Sequence, residues 1–130
     1  MILLTIRSDN PTAEIGLFDG SNKLAYKAWE GHRQLAETIH HKIEAMLKSQ
    51  HKQWHDIEGI VCFQGPGSFT GLRIGLTVAN ALTYSLTIPI VACKSNDWIA
   101  HGIKRLLAGE SDQIALPEYG APVHTTTQRK

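Results

Sequence analysis

Gly65-Pro66-Gly67-Ser68-Phe69-Thr70-Gly71-Leu72-Arg73-Ile74-Gly75 stands between a short apolar run, Ile60-Val61-Cys62-Phe63, and a helix-length apolar stretch from Leu72 to Leu86. A strand, a glycine-rich turn and a helix in that order can cradle an anion or can serve tight packing. The spacing discriminates. A phosphate loop needs Gly, four residues, then Gly-Lys-Ser/Thr. Counting from Gly65 puts Thr70 where the second glycine belongs, and counting from Gly67 puts Leu72 where the lysine belongs. The dinucleotide pattern Gly-x-Gly-x-x-Gly fails as well, since Thr70 fills its third glycine position. That pattern also wants an acid about 20 residues on to hold a ribose, and the next acid is Asp97. The free amides of a helix N-terminus still attract anions. The plainer reading is a strand-to-helix turn that needs glycine dihedrals. On it, Gly65 and Gly67 shape the turn, and Ser68 or Thr70 caps the helix by accepting a backbone N–H.

The helix behind the turn carries a second signal. At about 100° per residue, Arg73, Thr77, Asn80, Tyr84 and Thr87 fall on one polar stripe, and apolar residues cover the rest. A helix on one face of a sheet needs a stripe only about 100° wide for its own core. Gly71, Gly75 and Ala79 repeat every four residues and would let another helix approach. The surplus apolar surface therefore predicts a partner protein or a second copy as its cover. The competing reading is cover by the third helix or the tail.

Outward from this unit, Ile2–Ile6 predicts a strand buried on both faces. Ser8-Asp9-Asn10-Pro11 is turn chemistry. Residues 14–18 and 23–29 predict two more strands, joined by the hairpin signal Asp19-Gly20-Ser21-Asn22. Leu35, Ile39, Ile43 and Leu47 recur every four residues, which predicts a helix over about 32–48. Strands follow at 57–63 and 88–93, with the motif helix between them, and a last helix over 96–107. The order βββαβαβα predicts an α/β fold: a five-stranded mixed sheet with flanking helices, as in one lobe of the ribonuclease H-like, actin-type architecture. The lobe is expected over 1–108 and an extended tail over 109–130.

Composition narrows the function. A net charge of +1 on 130 residues provides no large basic field, so tight nucleic-acid binding by the chain alone is not expected. Cys62 and Cys93 sit in apolar runs and read as buried, inert thiols rather than a disulfide framework. The first residues lack a basic leader region, and no run approaches the roughly 18 apolar residues of a membrane span, so a cytosolic (cytoplasmic) location is expected. His51 and His55 stand four apart, a spacing used by metal ligands on one helix face, yet no third ligand is evident; no metal or cofactor is expected. His40-His41 reads as surface. Ser68 does not match a nucleophile elbow, because Thr70 replaces the closing glycine. Trp29, Trp54 and Trp98 are too scattered in sequence for a base-stacking platform, and Arg129-Lys130 reads as a basic terminus.

The motif from Gly65 to Gly75 resembles the signature of the TsaB (YeaZ) family, which serves synthesis of the threonylcarbamoyladenosine (t6A) modification of tRNA. His32, the stretch Asp56–Val61 and Ile88-Pro89-Ile90-Val91 agree with it, and the resemblance spans about residues 1–107. It implies an actin-type fold and a non-catalytic role. It implies docking on a related catalytic subunit, TsaD, through helices beside the glycine motif, with homodimerisation through an overlapping surface and a third subunit, the ATPase TsaE. tRNA would be met only within that complex, and no membrane is involved. Two departures stand out. Where the family carries Asp-Thr-Ser after the first strand, this sequence has Ile6-Arg7-Ser8, with Asp9 three positions out of register. The second lobe of the family is also missing from this sequence. Both departures disfavour the alternative of a small actin-fold ATPase or glycoprotease-like enzyme; a self-assembling homodimeric domain is the other alternative. The expected partner interface is Gly71, Ile74, Gly75, Val78 and Leu82.

Overall fold

Three antiparallel strands open the chain in a computed structural model that describes residues 1–31, 35–65 and 69–116. Strand β1 (Ile2–Arg7) pairs with β2 (Thr12–Asp19), Ile2 opposite Asp19 and Arg7 opposite Glu14. β2 pairs with β3 (Asn22–Glu30) across the two-residue turn Gly20-Ser21, where Gly20 has φ +59°. A two-residue hairpin needs a positive φ, which glycine adopts without strain. β4 (Gly59–Phe63) lies parallel to β1 on its other side, and β5 (Ile90–Cys93) lies parallel to β4. The sheet order is β3-β2-β1-β4-β5. This is the expected mixed sheet. β4 and β5 each begin two residues later than the sequence predicts; at β5, Pro89 has no N–H for the ladder and offers only its carbonyl, which accepts from Ile60.

Three helices cover the sheet: α1 (Leu35–Ser49), α2 (Phe69–Leu86) and α3 (Trp98–Leu107). Gly75 of α2 rests on Ile6 and Ser8, whereas Gly102 of α3 rests on Val61. Val61 is paired with Thr5, the neighbour of Ile6, and successive strand residues point to opposite faces. So α2 and α3 lie on opposite faces of the sheet. α1 lies beside α2, over β2 and β3. The strands β1 and β4 are sandwiched, which is why Leu3, Leu4, Ile60 and Val61 are all fully buried.

Both long helices end in the same way. Lys52 N–H reaches back to the Leu47 carbonyl and Ile88 N–H to the Thr83 carbonyl. Each is the long bond of a Schellman motif, whose following left-handed residue is usually glycine. Here it is His51 (φ +57°) and Thr87 (φ +56°). A β-branched residue is strained in that region. Thr87→Gly is expected to stabilise the fold by about 1 kcal/mol, read as a higher midpoint in urea at unchanged slope.

Residues 109–116, beyond the expected lobe boundary, lie against the lobe. Asp112 N–H donates to the Ile90 carbonyl, and the Asp112 carboxylate accepts from Ala92 N–H at 2.8 Å. The segment thereby satisfies the free edge of β5. Arg105 of α3 clamps it, donating to Asp112 at 2.6 and 3.2 Å and to Glu110 at 2.9 Å. Further on, Ala115 and Asn80 of α2 exchange two hydrogen bonds, of 2.7 and 2.9 Å. The hydrogen bond from Arg105 is the largest influence on Asp112 and holds its carboxyl below the usual range; the Ala92 amide helps and burial opposes. A depressed carboxyl stabilises the fold above its unfolded pKa of about 3.9 and stops doing so as pH falls through the lower folded value. The protection of the Asp112 amide, its exchange rate measured against the intrinsic rate at each pH, should therefore fall below about pH 4, and in Asp112→Asn it should be low at neutral pH already.

Candidate docking site

Two glycines of the motif, Gly65 and Gly75, have backbone or packing that a side chain would disturb, and Gly75 meets a residue outside the motif. Gly65 is buried and has φ +115°, a conformation that side chains rarely adopt. Beyond it, the Ser8 hydroxyl, at the end of β1, donates to the Gly71 carbonyl at 2.7 Å and accepts from Gly75 N–H at 3.1 Å. Those two groups are the i and i+4 partners of a helical turn, so a side chain from the sheet bridges one turn of α2. A methyl group on Gly75 would collide with Ser8 Oγ and stand 2.9 Å from Ser8 Cβ. The Gly71-x-x-x-Gly75 spacing thus admits the chain's own β1. Gly75 and Ala79 are buried under the helix, which corrects their expected place on a partner-facing stripe. The signal for Ser8 was present as a small residue in a turn facing a glycine repeat, but the sequence does not pair them.

Most of the surplus apolar surface of α2 is covered within the chain. Leu72, Leu76 and Ala79 are buried against the sheet, α1 packs alongside, and Ala115 closes over Asn80. This favours the tail as part of the cover and reduces the share left for a partner. What stays open is a groove of about 320 Å³ between α1 and α2, lined by Ala36, Thr70, Arg73, Ile74, Thr77 and Val78. Gly71, Ile74, Val78 and Leu82 are half-buried, while Arg73, Thr77 and Tyr84 are exposed. Of the five expected interface residues, Ile74 and Val78 line this groove, Gly71 and Leu82 are half-buried elsewhere on α2, and Gly75 is buried. Thr70 lies inside the first turn of α2 and lines the groove; it is not at the capping position. Gly67, Ser68 and His32 lie outside the described residues.

The carboxyl ends of β1 and β4 hold a closed polar arrangement. Arg7 Nε donates to Asp9 at 2.7 Å and its second nitrogen donates at 3.2 Å, with Asp9 only 6% exposed. The Arg7 guanidinium lies 4.0 Å from the Phe63 ring centroid, and Phe63 meets Trp98 edge-on at 5.8 Å. Ile6, at the position of the family's acid, is buried in the core. A bidentate arginine occupies both oxygens of Asp9, so that carboxylate is engaged rather than offered to a cation. Burial first, and Cys93 second, push the Cys62 thiol far above its ordinary value, so no thiolate forms there at neutral pH. Cys93 is likewise buried and free. His51 follows the end of α1 and His55 lies in a 3-10 turn, Trp54–Asp56, so they share no helix face. Among the described residues no group of three or more His, Cys, Asp or Glu could hold a metal ion, and no helix is long and apolar enough to cross a membrane.

Sheet order, parallel and antiparallel pairing and the placement of helices on both faces define an actin-type, ribonuclease H-like lobe. Solved structures agree: a Pseudomonas aeruginosa protein described as similar to peptidase YEAZ superposes with a TM-score of 0.67 at 22% identity, over 72% of this chain and 43% of that one. YeaZ from the same organism gives 0.63 at 23%, over 72% and 45%. The family described as "TsaD: tRNA N6-adenosine threonylcarbamoyltransferase" matches residues 29–114. The TsaB tRNA threonylcarbamoyladenosine biosynthesis protein of Bacillus subtilis is 32% identical over 100 residues, 77% of this chain and 44% of that protein. The chain belongs to this family, on its TsaB (YeaZ) side. It spans under half the length of that Bacillus relative.

Proposed function

We propose that this chain acts in t6A modification of tRNA as a non-catalytic docking subunit that holds a TsaD-type catalytic subunit through the groove between α1 and α2. The observation that carries the reading is the part-buried apolar pair Ile74 and Val78, which line the groove beside exposed Arg73 and Thr77 while Leu72, Leu76 and Ala79 are buried against the sheet. A small apolar centre with a polar rim is the anatomy of a protein interface. The Ser8 bridge supports it by fixing the helix that presents the pair. The buried Ile6 and the engaged Asp9 supply no acid for metal-bound phosphate, which weighs against the reading as a small ATPase. A TsaE-type ATPase would join through the complex, tRNA would be met within it, and a homodimer would compete for the same groove.

Co-expression with a tagged TsaD-type subunit tests this. The wild-type chain should co-purify in a stable complex, and Ile74→Glu should not, while retaining wild-type circular dichroism. Recovery of both proteins alike would remove the groove from the interface.

A further inference from the structure

On the far side of α1 from β3, a second groove, of about 490 Å³, runs between the end of the helix and the following 3-10 turn. Its apolar lining is Leu47 and Trp54, and its rim is Glu44, Lys48, His51 and Lys52. The Trp54 indole is half-buried and stacks on His40, with ring centroids 4.7 Å apart and planes 24° apart. On the other flank of α1, Trp29 donates its indole N–H to Thr38 and lies under the Lys42 ammonium. The two tryptophans that looked scattered in sequence thus border one helix.

In sequence, the segment that carries the groove is net positive as far as His55, with Asp56 closing the 3-10 turn. From Lys23 to His55 the sequence carries six lysines and arginines against three acids, and five of the seven histidines. With a whole-chain net charge of +1, the remainder is net acidic. The last carbonyls of α1, which would otherwise repel an anion, are occupied: Met46 accepts from Ser49 Oγ, Leu47 from the Gln50 and Lys52 amides, and Lys48 from the His51 amide.

An indole floor with cationic side chains around it is the chemistry that recognises a nucleotide of a single strand, by stacking and phosphate pairing together. A carboxylate on the same rim can accept a hydrogen bond from a ribose 2′-hydroxyl, the group that separates RNA from DNA. We propose that the groove bounded by Trp54, Glu44, Lys48, His51 and Lys52 binds a nucleotide of single-stranded RNA, the base against Trp54 and the phosphates at Lys48 and Lys52. This does not rest on the docking reading, since the groove is separate from the one between α1 and α2.

The test uses the purified full chain alone, titrated with a labelled single-stranded RNA 12-mer at low salt, with the DNA strand of the same sequence and an acidic peptide as comparison ligands. Wild type should bind the RNA with a dissociation constant in the range of roughly 10⁻⁶–10⁻⁴ M and quench tryptophan fluorescence. The double variant Lys48→Gln/Lys52→Gln should bind at least about tenfold more weakly and lower the salt slope by about 1.4. Trp54→Leu should lose the quench and bind at least about fivefold more weakly. Absence of RNA binding by wild type, equal affinity of the lysine variant, equal binding of the DNA strand, or tighter binding of the acidic peptide would each overturn the assignment. Because no partner subunit is present, failure here leaves the docking reading standing.

Discussion

Gly75→Ala should destabilise the fold by about 2–3 kcal/mol, the size of an overpacked core contact. The sign is the informative part. In a helix interior the same substitution ordinarily stabilises by about 1 kcal/mol, because alanine is the better helix former. Here the new methyl would enter the space of Ser8 Oγ and Cβ and break the bridge from Gly71 to Gly75. The rescue is specific. In a Ser8→Gly background the obstructing atoms are gone, so Gly75→Ala should become neutral or stabilising. A double-mutant cycle in urea should return a coupling above about 1 kcal/mol, as expected for residues in direct contact. Additive effects would mean that the glycine is needed for something other than admitting Ser8.

Trp98→Ala should have a still larger effect. Removing a buried tryptophan costs about 3–5 kcal/mol, against a total of about 5–15 kcal/mol for a domain. Trp98 is 3% exposed at the start of α3 and meets Phe63 edge-on, and Phe63 carries the Arg7 guanidinium. The cavity would therefore open beneath the stack that holds Arg7 against Asp9. A fall in melting temperature of at least about 10 °C is expected, with loss of near-ultraviolet circular dichroism. A change of only a few degrees would show that α3 contributes little to the core at the strand ends.

The sheet was legible because its cues are local. Gly20 in a two-residue turn, the continuous apolar runs of β1 and β4, and the four-residue repeat of α1 each act within a few residues. The spacing of the glycine motif excludes phosphate loops and predicts a packing turn, and tight packing is seen at Gly75. Its true counterpart was not legible, because Ser8 lies 63 residues from Gly71 and one hydroxyl leaves no periodic trace. The tail's cover of α2 stood only as the competing reading for the same reason: the Asn80 side chain bonds irregular backbone at Ala115, 35 residues away. The counted stripe of α2 overstated its free apolar surface, since it could not subtract what α1 and residues 109–116 cover. Trp29 and Trp54 looked unrelated because α1 intervenes in sequence, and in space it is what they share.

α2 is divided: Ser8 anchors one side into the sheet, and the other borders the groove proposed for docking. Calorimetric titration of a TsaD-type subunit into wild type and Val78→Arg measures that division directly. Val78 is part-buried and lines the groove, so an arginine there places a desolvated charge in any interface. Saturable binding by wild type is expected, and at least about 100-fold weaker binding by the variant, about 2.7 kcal/mol, with circular dichroism showing that the variant remains folded. Equal affinities, or no binding by wild type, would contradict docking through this groove.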